Sequence, residues 1–127
     1  AVKLYNTISK NEISGVMSEF LKENDLQISD IDIIVLGLNG DIDFDVYYSK
    51  IQSELFNNTQ QAYYKHLSGE FNTASSFGLW LAAKILKKQT LPEVVKINNI
   101  QDSNFKTILL YNQYRGENHS FTLLKRC

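Results

Sequence analysis

The chain has 127 residues, 43% of them hydrophobic and 21% charged, which suits one globular domain or one half of something larger. A formal net charge of -1 excludes the basic excess expected of a nucleic-acid binder. The one cysteine, Cys127, excludes an internal disulfide, and no apolar run is long enough to span a membrane. With no signal-peptide pattern at Ala1, the expected compartment is the cytoplasm.

Val2 to Thr7 alternates in part and reads as a short strand. Ser9 and Glu12 have capping-box spacing, and Ile13, Val16, Met17, Phe20 and Leu21 follow at helical intervals. Ile31 to Leu36 is nearly all β-branched or aliphatic, the pattern of a strand covered on both faces in a parallel sheet. After a turn, Tyr47, Tyr48, Ile51, Leu55 and Phe56 mark a second helix face, and Gln61 to Tyr64 is a short strand.

A short turn at Ser68-Gly69 leads into the third helix, which from Ala74 is apolar almost all round until Lys84, Lys87 and Lys88. Such a helix is expected in the middle of a layered domain, because a surface helix would show a polar side. The lysines sit at its C-terminal end, where cations favour the helix dipole. Pro92 follows the helix end. Phe105 to Tyr111 and Ser120 to Lys125 then read as a closing hairpin. The predicted order is βαβαβαββ, an α/β fold over 1–127 with a mixed, mainly parallel sheet, helices on both faces and an antiparallel hairpin edge.

Few residues invite chemistry. Asp41, Asp43 and Asp45 have the alternate spacing of a calcium loop, but Val46 stands where the sharp turn needs Gly and Gln52 where the last ligand should be Glu. Asp43 or Asp45 is instead expected to cap the following helix. His66 and His119 lie in different segments, and Ser68, Ser75 and Ser76 have no nucleophile-elbow pattern around them. Cys127 lacks a fixed electropositive setting. No metal or cofactor is expected.

Three segments, in order, resemble the C-terminal half of the β-ketoacyl-acyl-carrier-protein synthases, which have the thiolase fold. DIDIIVLGLNGDIDFD (Asp30 to Asp45) is similar to the family's strand, its His-containing turn and a later Asp. YKHLSGEFNTASSFG (from Tyr64) looks like its Lys…Gly-His…Gly-Ala-Ala-Gly segment. YNQYRGENHSFTLLKR (Tyr111 to Arg126) resembles its closing Asn- and Gly-rich hairpin. The predicted element order is that of one half of this duplicated fold.

Registering the chain on the resemblance puts Gly37 at the first active-site His and Glu70 at the second. Lys65 matches the family's Lys. Asn112 and Gly116 persist in the closing loop, with Arg115 and Glu117 intruding among its glycines. In the active enzymes the two histidines donate hydrogen bonds to a thioester oxygen as malonyl decarboxylates, and losing one such donor costs about 10²–10³ in rate. Glycine supplies no side-chain donor. An ionised glutamate about 4 Å from the enolate would repel it by roughly 4 kcal/mol at an effective dielectric near ~20.

The family's nucleophilic Cys belongs to an N-terminal half that is not in this chain. The resemblance therefore implies a non-catalytic, chain-length-factor-like subunit of fatty acid or polyketide synthesis. Its expected partners are an active ketosynthase or its own N-terminal half, and an acyl carrier protein, in a dimer. It also implies a Lys65–Glu70 ion pair in the space of the lost site. The alternative is a divergent acyltransferase or hydrolase on acyl thioesters, with its nucleophile in the missing half and Glu70 as base.

Overall fold

The computed structural model describes residues 2–38, 43–64, 74–100, 104–114 and 117–126, with only the backbone described at 74–76 and 114. The elements run β1 (Val2–Thr7), α1 (Ile13–Glu23), β2 (Ile33–Leu36), α2 (Val46–Glu54), β3 (Gln60–Tyr63), α3 (Ala74–Lys88), β4 (Thr107–Tyr114) and β5 (Glu117–Lys125). Short 3₁₀ turns at Ile28–Asp30 and Glu93–Val95 interrupt the connections. Among the described residues, this is the order expected from the sequence.

One five-stranded sheet has the order β1-β5-β4-β2-β3. β2 runs parallel to both β3 and β4, while β5 is antiparallel to β4 and β1. The closing hairpin was expected to form the edge. Instead β5 lies inside the sheet, because β1 crosses from the start of the chain and pairs Val2 with Thr122 and Thr7 with Glu117.

The two faces follow from the two-residue period of the strands. Ile34, Leu36, Leu109, Tyr111, Phe121 and Leu123 point to one side and pack against α1 and α2 through Ile13, Met17, Phe20, Leu21, Tyr48 and Ile51. Ile33, Val35, Ala62, Ile108 and Leu110 point to the other and meet Leu81, Ala82, Ile85 and Leu86 of α3. All four residues of β2 are buried, as a strand covered on both faces requires.

α3 departs from its expected central position. Its outward stripe leaves Leu79 44% and Trp80 53% exposed, so the chain covers only one side of this apolar helix. Gln89 closes it in a left-handed conformation (φ 56°), and its side chain exchanges hydrogen bonds with the Phe105 backbone at 2.8 Å each way. That clasp fixes where the chain re-enters the sheet.

The capping box expected at α1 does not form. Glu12 takes the N-cap place without a side-chain cap bond, and the Ser9 hydroxyl donates to the Glu12 carboxylate at 2.7 Å instead. Ser9 sits one turn too early to reach the free amides of the helix. Asp45 likewise occupies the N-cap position of α2 in helical backbone geometry and makes no side-chain cap bond there, so of the two candidates, Asp43 and Asp45, this one does not cap the helix. A cap residue needs extended backbone to aim its side chain back at the first turn.

A carboxylate works elsewhere. Asp32, just before β2, accepts hydrogen bonds from the backbone amides of Lys106 (2.7 Å) and Thr107 (3.0 Å), and so sets the register of β4 beside β2. Asp32→Ala is expected to cost about 1.5–3 kcal/mol in urea unfolding, the worth of hydrogen bonds to a charged acceptor. Asp32→Asn, which keeps an acceptor oxygen, should recover a large part of that loss.

Candidate functional site

In an open sheet with parallel strands, the crevice beyond their carboxyl ends is where ligands bind. Here β2 and β3 finish at one end of the sheet, at Leu36 and Tyr63, level with Tyr111 of β4, because Leu36 is in register with both Tyr63 and Tyr111; β4 runs on past them to Tyr114 beside β5. The chain leaves β2 and β3 at this end, after Leu36 and Tyr63.

Gly37 is buried, and its amide donates to the Tyr111 carbonyl at 3.1 Å, extending the β2–β4 ladder by one step. Asn112 follows Tyr111 and faces the α3 side, as alternation along β4 demands. It is 7% exposed. The hydroxyl of Tyr64, fully buried at the end of β3, donates to Asn112 Oδ1. Asn112 Nδ2 has no hydrogen-bond partner among the described residues. A buried amide left in this state costs about 1–3 kcal/mol, so it is a donor held ready for an acceptor.

The surroundings hold this arrangement. Gly78 of α3 comes so close to the Tyr64 ring that any Cβ there would lie 2.8 Å from it. Tyr64 also faces Phe77, with ring centroids 6.3 Å apart. On the opposite face, the Gln113 amide donates to the Tyr48 hydroxyl at 3.0 Å, and its side chain donates to the Phe44 carbonyl at 3.1 Å. Next to Gln113 the β4–β5 ladder shifts register between Asn112 and Tyr114.

Of the positions singled out in the sequence, the fold brings Gly37 and Asn112 together on adjacent strands. Lys65 and Glu70 lie outside the described residues, and so does the ion pair expected between them. Asp41, His66, Ser68, Arg115, Gly116 and Cys127 also lie outside, while Ser75 and Ser76 open α3 with their side chains undescribed. Asp43 is exposed in the turn before α2, and no group of three or more metal-ligating side chains occurs among the described residues.

His119 is fully buried on the α1–α2 side. Its Nδ1 lies 2.8 Å from the Tyr111 hydroxyl, and its ring sits between those of Tyr47 and Tyr111. Burial pushes the Tyr111 phenol far above its usual range, with Tyr48 and Tyr47 adding to the effect, and burial raises Tyr47 as well. These phenols stay protonated, and Tyr47 donates its proton to the Ile8 carbonyl at 2.7 Å.

The partnership of Tyr64 with Asn112 was not foreseen from the sequence. Its one signal there is the Tyr63-Tyr64 pair ending β3, ahead of the connection that carries Lys65. A scan against models of known protein families finds no match, and a search of curated proteins finds no relative.

Proposed function

We propose that this chain is the C-terminal half-domain of a β-ketoacyl-synthase-like protein that does not catalyse condensation and works beside an active partner in acyl-chain synthesis. The observation that carries the reading is the pair Gly37 and Asn112 at the carboxyl ends of β2 and β4. In the register of the resemblance, Gly37 occupies the place of the first catalytic His. Its backbone amide is already spent on Tyr111, so it offers a thioester oxygen no donor. Glu70, in the place of the second His, would oppose an enolate.

The element order βαβαβαββ and the mixed sheet with helices on both faces support the same reading. So does the apolar surface left on the α3 side. Leu79 and Trp80 are exposed there, together with Val2 and Leu4, which point that way because Lys3 and Tyr5 of β1 face α1 and the first core. Exposed apolar groups of this kind fit a domain covered by its own other half or by a ketosynthase subunit.

The test has two arms. Supplied with malonyl- and acyl-thioesters, the chain should release no CO₂ and transfer no acyl group. Used as bait in its source cytosol, it should retain an active ketosynthase or an acyl carrier protein. CO₂ release by the chain alone would overturn the reading, and so would an eluate containing neither partner.

A further inference from the structure

We infer that the groove between the C-terminal half of α3 and the end of β5 is a docking site for an acidic amphipathic helix of a partner protein. The groove is open and has a volume of about 550 Å³. Leu86 and Ala83 of α3 and Leu124 of β5 give it an apolar lining, and the exposed Lys87, Lys125 and Arg126 add three cations to that lining.

The helix dipole accounts for cations in the last turn of α3, where Lys87 and Lys88 stand. It does not account for Lys125 and Arg126, which arrive on another element. Lys106 adjoins them, since the Arg126 amide donates to its carbonyl at 2.8 Å. None of these five side chains is in an ion pair among the described residues. Lys3, Lys50 and Lys96, elsewhere on the surface, each have a glutamate partner. The chain as a whole is nearly neutral, so this corner concentrates a charge that the fold does not compensate.

The shape decides between anionic partners. Among the described residues, the groove's lining contains no aromatic ring on which a nucleic-acid base could stack. A membrane surface meets basic residues around a protruding apolar ridge, whereas these line a recess. An amphipathic helix puts apolar residues one turn apart into such a groove and carries its carboxylates on either side of them. Opposed charges across the groove then give orientation and speed of encounter.

The test uses a fluorescently labelled helical peptide of about 18 residues, or five turns, with a leucine stripe flanked by glutamates. Its twin carries lysines for the glutamates. Saturable binding of the glutamate peptide is expected, weakening about tenfold or more as salt rises and the screening length falls from roughly 10 Å to a few ångströms. Lys87→Glu with Lys125→Glu should abolish it, and Ala83→Trp, which fills the groove without altering charge, should weaken it at least about tenfold.

Equal binding of the lysine twin would overturn the proposal, as would full binding by the charge-reversed variant or no binding at low salt. Phosphatidylglycerol vesicles and a single-stranded oligonucleotide serve as competitors. If either binds more tightly than the glutamate peptide, the occupant is a lipid surface or a nucleic acid and the helix assignment fails.

Discussion

Gly78→Leu is expected to lower stability by about 3 kcal/mol or more, read as the shift in a urea unfolding transition. A Cβ at position 78 would lie 2.8 Å from both Cε1 and Cζ of Tyr64, well inside any contact that carbon atoms tolerate. Tyr64 has no room to yield, being fully buried with its hydroxyl bonded to Asn112. Moving the ring would break that bond and leave a second polar group of Asn112 without a partner. The smaller change Gly78→Ala is the sharper measurement. Alanine improves helix propensity by up to about 1 kcal/mol over glycine, so propensity alone predicts a gain. Steric conflict predicts a net loss of about 1–2 kcal/mol despite that gain. Gly15 of α1 supplies the control, because nothing lies within 4 Å of a Cβ built there. Gly15→Ala should therefore stabilise. If both alanine variants stabilise, Tyr64 is free to move and the site at the carboxyl ends of the strands is not rigidly held.

The parts of this fold legible in the sequence are those encoded by local periodicity. Ile13, Met17, Phe20 and Leu21 recur at helical spacing and are the buried face of α1. The aliphatic run ending at Leu36 reads as a two-sided strand, although its first residues, Ile31 and Asp32, precede the ladder and Asp32 turns its carboxylate to the start of β4. Position within the sheet was not legible. β1 and β5 lie at opposite ends of the chain, and no local pattern in Val2–Thr7 names its partner. α3 misleads for a different reason. An apolar helix must be covered, but its composition does not say whether its own chain or another molecule does the covering, and Leu79 and Trp80 remain open here. At the candidate site, Gly37 and Asn112 could be named from the resemblance, whereas the Tyr64–Asn112 bond depends on two strands meeting and has no sequence signature. Asp45 does not cap for want of backbone geometry, since a side chain's ability to cap depends on dihedral angles that composition does not reveal.

The most severe single truncation is expected at Tyr111. Its ring lies 5.1 Å from that of Tyr48 and 5.2 Å from that of Phe121, stacks beside His119, and is fully buried under α1 and α2. Tyr111→Ala should cost about 3–5 kcal/mol, as for other buried aromatic residues. Tyr111→Phe isolates the hydroxyl. It leaves the ring contacts in place but removes the oxygen 2.8 Å from His119 Nδ1, and should cost about 1–3 kcal/mol at neutral pH. The two variants then diverge from wild type in alkali. Because burial raises the Tyr111 phenol above its ordinary value of 10.0, the unfolded chain gives up this proton at a pH where the folded chain keeps it. The stability conferred by the neutral phenol is complete below about pH 10 and is lost as the pH rises beyond it, by up to about 1.4 kcal/mol per pH unit. Wild type should thus lose stability steeply above that point. Tyr111→Phe should lose it more gently, retaining the smaller contribution of Tyr47, whose phenol is raised in the same direction. Urea midpoints measured from pH 7 to 11 would separate the cases. Parallel curves for wild type and Tyr111→Phe would mean that water reaches the Tyr111 hydroxyl, and that the aromatic layer between the sheet and α2 is looser than its packing implies.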